Sequence, residues 1–127
     1  MKLEYLPAGS PDCPLIRLYE FDVTGARRLR EAFRSLADGS RQDIPLHEEW
    51  WVESIAGCHL DLRLGQRDLG VVERLPSKFE CVLTAEVWLE MAGLTDPFCT
   101  ADSRADEYQW LNEDGEVSLL LTPTGRW

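Results

Sequence analysis

The chain has 127 residues, of which 44% are apolar and 28% are charged, and its formal net charge at pH 7 is −10. This length and composition predict a single globular domain over residues 1–127 rather than a disordered chain. The acidic excess argues against nucleic-acid binding and against docking on an anionic membrane, because both interactions rely on Lys and Arg.

Residues 15–23, LIRLYEFDV, are rich in branched and aromatic side chains, which predicts a strand. The next segment, TGARRLREAFRSLADGS, repeats apolar residues at three- and four-residue spacing. It predicts a long amphipathic helix over about 24–38, with Thr24 as N-cap and Gly39 just beyond its end. We expect the apolar stripe of this helix to pack on one face of a sheet.

The same helix carries Arg27, Arg30 and Arg34 on a strip beside its apolar face. This strip could bind an anion or an acidic neighbour. A charged strip is also what any surface helix presents to water, and that simpler interpretation is favoured.

Residues 47–64, HEEWWVESIAGCHLDLRL, predict two strands joined by a turn at 56–57. In the second strand three leucines alternate with polar residues, which is the period of a half-buried strand. A two-residue turn would bring Trp51 close to Leu62 and create one mixed aromatic and polar face. That face is a candidate binding surface, although the rest of the fold could also cover it. Its residues are Trp50, Val52, His59, Asp61 and Arg63.

The segments VVERL and KFECVL predict two further strands. TAEVWLEMAGL then predicts a second, short helix over about 84–93, begun by Thr84. Residues 95–106, which are polar and broken by proline, predict a loop.

The C-terminal part predicts a hairpin around Asp114-Gly115, a favoured turn pair. Its expected register places Tyr108 and Trp110 opposite a set of apolar residues on the second strand. These are Val117, Leu119 and Leu121. The whole pattern predicts an α+β fold, with a mostly antiparallel sheet of five to seven strands and the long helix on one face.

We expect no metal, no cofactor and no assigned catalytic residue. His47, Glu48, Glu49, Cys58 and His59 are suitable metal ligands, but the two histidines are twelve residues apart, whereas zinc ligands usually come in closely spaced pairs. Nucleophile-elbow and phosphate-loop motifs are missing from the sequence. A Cys–His pair stays open, because such partners meet in space rather than in sequence.

These features predict a small binding or regulatory domain without catalytic activity. We expect it in the cytoplasm, because the N-terminus shows no export signal and no apolar run exceeds three residues. The most concrete hypothesis is an acidic protein that binds a basic protein partner, as inhibitors and immunity-type proteins of toxic nucleases do. A second hypothesis is a homodimer that pairs the arginine helix with an acidic sheet surface. The alternative class is a small enzyme or small-ligand carrier, with a cleft near Trp50, His59 and Asp61.

Overall fold

The computed structural model describes residues 1–101 and 107–127. Within them the chain forms two helices, α1 (Val23–Ala37) and α2 (Ala85–Thr95), and nine strands, which confirms the α+β class. The strands are β1 (Lys2–Leu6), β2 (Leu15–Tyr19), β3 (Asp43–Pro45), β4 (Glu53–Ser54), β5 (His59–Leu64), β6 (Gly70–Leu75), β7 (Lys78–Leu83), β8 (Gln109–Asn112) and β9 (Ser118–Thr122). Short 3-10 turns cover Leu46–Glu48 and Asp96–Cys99.

The strands form two sheets, so the predicted single sheet of five to seven strands is wrong. One sheet has the order β4-β1-β2-β9-β8 and the other has the order β3-β5-β7-β6. Both are mixed rather than mostly antiparallel, because β1–β4, β2–β9 and β5–β7 pair in parallel. Strands that pair in parallel are joined by long connections, so patterns in adjacent segments of the sequence do not reveal which strands pair in this way.

Helix α1 begins one residue earlier than predicted, and its N-cap is Asp22 rather than Thr24. The Asp22 carboxylate accepts a hydrogen bond from the backbone N–H of Gly25 at 2.9 Å, which satisfies one of the free donors of the first turn. At the other end, Gly39 has φ +78°. This positive φ confirms the role predicted for a glycine that follows the helix.

The buried face of α1 packs against α2 and the 96–99 turn, and its residues belong to the same apolar cluster as buried residues of both sheets. Phe33 of α1 stacks on Trp88 of α2, with ring centroids 5.5 Å apart. The indole N–H of Trp88 donates to the carbonyl of Arg63 at 3.0 Å, which fastens α2 to β5. The second helix begins after Thr84 as predicted, but it continues through Gly93 to Thr95. The two helices therefore pack against each other and against the sheets.

The hairpin predicted over 47–64 is wrong. Strand β5 pairs antiparallel with β3 and parallel with β7, whereas the two residues of β4 pair in parallel with β1. Residues 46–52 form a 3-10 turn and a further turn between the two sheets. Trp and Val favour strands only where a neighbouring strand is available, and here tertiary pairing overrides the local preference.

The C-terminal hairpin of β8 and β9 is confirmed, but its register differs from the prediction. Trp110 lies opposite Leu120, and an irregularity after Trp110 places Asn112 opposite Leu119. Trp110 was expected opposite Val117, Leu119 or Leu121. A shift of one residue in register places a side chain on the other face of the strand, so Trp110 does not lie on the predicted face. Trp110 is half-buried, while Leu111 and Asn112 are buried.

An isolated bridge between Val71 and Val117 joins the two sheets. Buried residues of both sheets and both helices form one apolar cluster around this junction. Within the predicted loop 95–106, residues 96–99 instead form the 3-10 turn that buries Phe98 and Cys99; residues 102–106 lie outside the described part. Neither helix found in the described residues is long and apolar enough to cross a bilayer.

Three of the four cysteines are buried, and none of the four forms a disulfide. Burial raises the pKa of Cys58 to about 12 and also raises the pKa of Cys81. A raised thiol pKa stabilises the fold below the unfolded value of 9.0, and this contribution is lost as pH rises towards the folded value.

We therefore expect the free energy of unfolding to fall from about pH 9 upwards, by about 1.4 kcal/mol per buried thiol at pH 10. Urea unfolding from pH 7 to 10.5 measures this slope. A variant with Cys58→Ala and Cys81→Ala should have a shallower alkaline slope, because it lacks both thiols. Equal slopes in the two proteins would contradict the expectation.

Candidate functional site

The residues of the predicted binding face lie on two segments, with Trp50 and Val52 in the turn before β4 and with His59, Asp61 and Arg63 on β5. Trp50 projects from the turn before β4 and is 78% exposed. The guanidinium carbon of Arg28 in α1 lies 4.4 Å from the centroid of the Trp50 ring. Val52 follows in the same segment, is half-buried and packs against the core. Trp50 thus belongs with α1 rather than with β5.

His59 of β5 is brought against His47, the only other histidine of the chain. Their rings are parallel within 3°, with centroids 4.1 Å apart. Nδ1 of His47 accepts the backbone N–H of Leu60 at 3.0 Å, which continues the β5 hydrogen bonds beyond Pro45. In the described part of the chain, no group of three or more His, Cys, Asp or Glu residues is placed to hold a metal ion. The ring stack and the hydrogen bond from Leu60 hold the 46–48 turn against β5.

Arg63 and Asp61 lie on the outer face of β5 together with His59. Arg63 forms ion pairs with Asp43 at 3.6 Å and with Glu80 at 3.3 Å. These contacts link β5 to β3 and β7, its two neighbours in the sheet. The charge of Arg63 is therefore neutralised by carboxylates of the same sheet.

The three arginines of the α1 strip have partners within the fold. Arg30 pairs with Asp96 at 2.8 Å, and Arg34 pairs with Glu31 at 2.9 Å. Arg27 donates through Nε to the carbonyl of Cys99 at 3.0 Å. Arg27 and Arg30 therefore hold α1 against the 96–99 turn, so these two charged side chains stabilise the fold.

A cleft of about 520 Å³ lies between α1 and the segment 41–51, and we call it the arginine cleft. Its lining includes Thr24, Arg27, Arg28, Glu31, Arg41 and Trp51. Arg41 pairs with Glu49 at 3.3 Å on the wall opposite α1. Arg28 enters the cleft beside its stack on Trp50. Guanidinium groups and indole rings thus meet at one opening.

A second cleft of about 270 Å³ lies between α2 and β8, and we call it the acidic groove. Apolar side chains of both elements form part of its wall, and three carboxylates stand around them. Its lining includes Val87, Glu90, Leu94, Trp110, Glu113 and Asp114. No lysine or arginine of the described residues lines this groove.

None of the three carboxylates of the acidic groove forms an ion pair with the described residues. Elsewhere ion pairs neutralise acidic residues, as in Glu4 with Arg17 and Glu20 with Lys2. Glu90 and Glu113 have no such partner within residues 1–101 and 107–127, and Asp114 contacts the side chain of Asn112. Glu90, Glu113 and Asp114 therefore give the acidic groove a negative potential.

The sequence showed the acidic excess of the chain but did not predict either cleft. The arginine cleft requires that Trp50 meet Arg28, twenty-two residues away, and no periodicity encodes that contact. The acidic groove depends on the contact between α2 and β8, which no local pattern of the sequence encodes.

Comparisons of this chain with protein-family models, with curated proteins and with solved structures found no match. Its function is therefore inferred from its own residues and their geometry.

Proposed function

We propose that this protein is a non-catalytic binding domain of the cytoplasm, and that its acidic groove takes a basic protein partner. The observation that carries the proposal is the combination of three carboxylates without a neighbouring cation and an apolar wall that includes Trp110. An arginine or lysine side chain of the partner would lie between the carboxylates, with its methylene stem along the wall.

Trp110 supports this proposal because tryptophan dominates the binding energy of many protein interfaces. It is half-buried in β8, so the fold holds its ring in place while one side stays accessible. Val87 and Leu94 are half-buried beside it on α2. An apolar centre with charges around it is the usual organisation of a specific interface.

Charge supports a basic partner rather than a second copy of the chain or a nucleic acid. The net charge of −10 repels phosphates and accelerates encounter with a cationic protein. A homodimer through the predicted arginine strip would need free arginines in that strip, yet Arg30 and Arg34 already pair with Asp96 and Glu31. We therefore favour a separate partner, bound in the manner of an inhibitor.

The test is a tagged pull-down from host lysate at low and high salt, followed by binding measurements on the protein recovered. A groove variant carries Glu90→Gln, Glu113→Gln and Asp114→Asn. We expect it to bind the partner at least tenfold more weakly, a loss of about 1.4 kcal/mol or more, because these charges set encounter and contact. Raising the salt concentration should release the partner from the wild type.

A matched control variant removes the same number of charges elsewhere, at exposed carboxylates outside the groove. It carries Glu48→Gln, Glu53→Gln and Glu73→Gln. We expect it to keep nearly all of the affinity. Recovery of this chain alone, or an equal loss in both variants, would overturn the proposal.

A further inference from the structure

We propose that the arginine cleft is a second binding site, which takes a small organic anion that carries a flat ring. In this assignment Arg28 holds the acid group of the ligand, and the ring lies against Trp51. The inference is independent of the acidic groove, because the two clefts share no lining residue.

The charges of the cleft favour an anion. Three arginines line it against Glu31, while Glu49 lies on the opposite wall. Both carboxylates are occupied, since Glu31 pairs with Arg34 at 2.9 Å and Glu49 pairs with Arg41 at 3.3 Å. A positive site is therefore preserved in a protein whose net charge is −10.

Arg28 is the group best prepared to bind an acid. Among the described residues its one interaction is the stack on Trp50, at 4.4 Å from the ring centroid. Stacking uses the face of the guanidinium and leaves its N–H donors, which lie in the plane, available for a carboxylate or phosphate. Trp50 is 78% exposed, so it fixes this arginine without serving the core.

The size and walls of the cleft favour a small molecule with an apolar part. A volume of about 520 Å³ falls within the range of small-ligand sites, which run from roughly 300 to 1,000 Å³. Trp51 and Ala32 offer apolar surface beside the arginines. Such a wall rewards a flat ring, which an inorganic anion lacks.

Calorimetric titration of the full chain with four probes separates these requirements. AMP and 4-hydroxybenzoate each combine a ring with an acid group, and they distinguish phosphate from carboxylate. Adenosine supplies the ring alone, and inorganic phosphate supplies the acid alone. We expect AMP or 4-hydroxybenzoate to bind at least about tenfold more tightly than both adenosine and phosphate. If neither ring-bearing acid binds better than both single-feature probes, the proposal is overturned.

Three variants assign the binding to the cleft. Arg28→Ala should weaken the preferred probe at least about tenfold, and Arg28→Lys should weaken it nearly as much, because lysine cannot offer two parallel donors. Arg67→Ala removes one exposed arginine outside the cleft and should change nothing. Binding that survives Arg28→Ala, or falls equally with Arg67→Ala, would overturn the site. Circular dichroism of each variant verifies that it is folded.

Discussion

Replacing Trp88 by alanine is expected to lower the free energy of unfolding by about 3–5 kcal/mol, the range for large aromatic side chains removed from a core. Trp88 is fully buried between the helices and stacks on Phe33. Its indole N–H also donates to the carbonyl of Arg63, so its loss leaves a cavity and removes this hydrogen bond between α2 and β5. Urea unfolding monitored by circular dichroism measures the change.

Trp50→Ala is the matched control, since it removes the same side chain from an exposed position. We expect a loss below about 1 kcal/mol, the value of an exposed cation–π contact, because Trp50 contacts Arg28 and little of the core. Comparable losses in the two variants would contradict the packing described for α1 and α2.

Gly115→Ala is expected to destabilise the protein by about 3 kcal/mol, the upper part of the usual range for overpacking. A Cβ atom at Gly115 would lie 2.4 Å from the carbonyl oxygen of Val71 and 2.5 Å from its nitrogen. Both are backbone atoms, and Val71 also forms the bridge to Val117 that joins the two sheets. Relief of the clash would therefore separate the sheets at their junction. Thermal and urea unfolding measure the loss.

Gly93→Ala is the control for this prediction. Gly93 lies in α2, and an added Cβ would meet nothing within 4 Å. Alanine should stabilise the helix there by about 0.5–1 kcal/mol, because glycine loses more backbone freedom on folding. A Gly115→Ala variant as stable as the wild type would show that the sheets do not approach as closely as described.

Elements whose signals are local could be predicted from the sequence. Helix α1 shows its apolar spacing within fifteen residues, and Thr84 and Gly39 act at helix ends as expected. The hairpin predicted over 47–64 was wrong because its two strands pair with distant partners. Strand β4 pairs with β1, and strand β5 pairs with β3 and β7. Strand propensity identifies an extended segment but does not identify its neighbour.

The sequence predicted which kinds of charged residue the candidate sites contain, but it did not predict where those residues meet. The acidic excess and the arginines of α1 are visible in the sequence, whereas their positions depend on tertiary contacts. Trp110 lines the acidic groove beside α2, and Arg30 of the predicted strip is used within the fold in an ion pair with Asp96. Arg28, which the sequence did not single out, is the arginine that stays available.

Carboxyl footprinting tests the central claim most directly. Accessible carboxylates are labelled by carbodiimide coupling, with and without the basic partner recovered at low salt, and are located by mass spectrometry. The acidic groove predicts lower labelling of Glu90, Glu113 and Asp114 in the complex, with unchanged labelling of Glu48, Glu53 and Glu73. Unchanged labelling in the groove, with protection of the other three carboxylates, would contradict it.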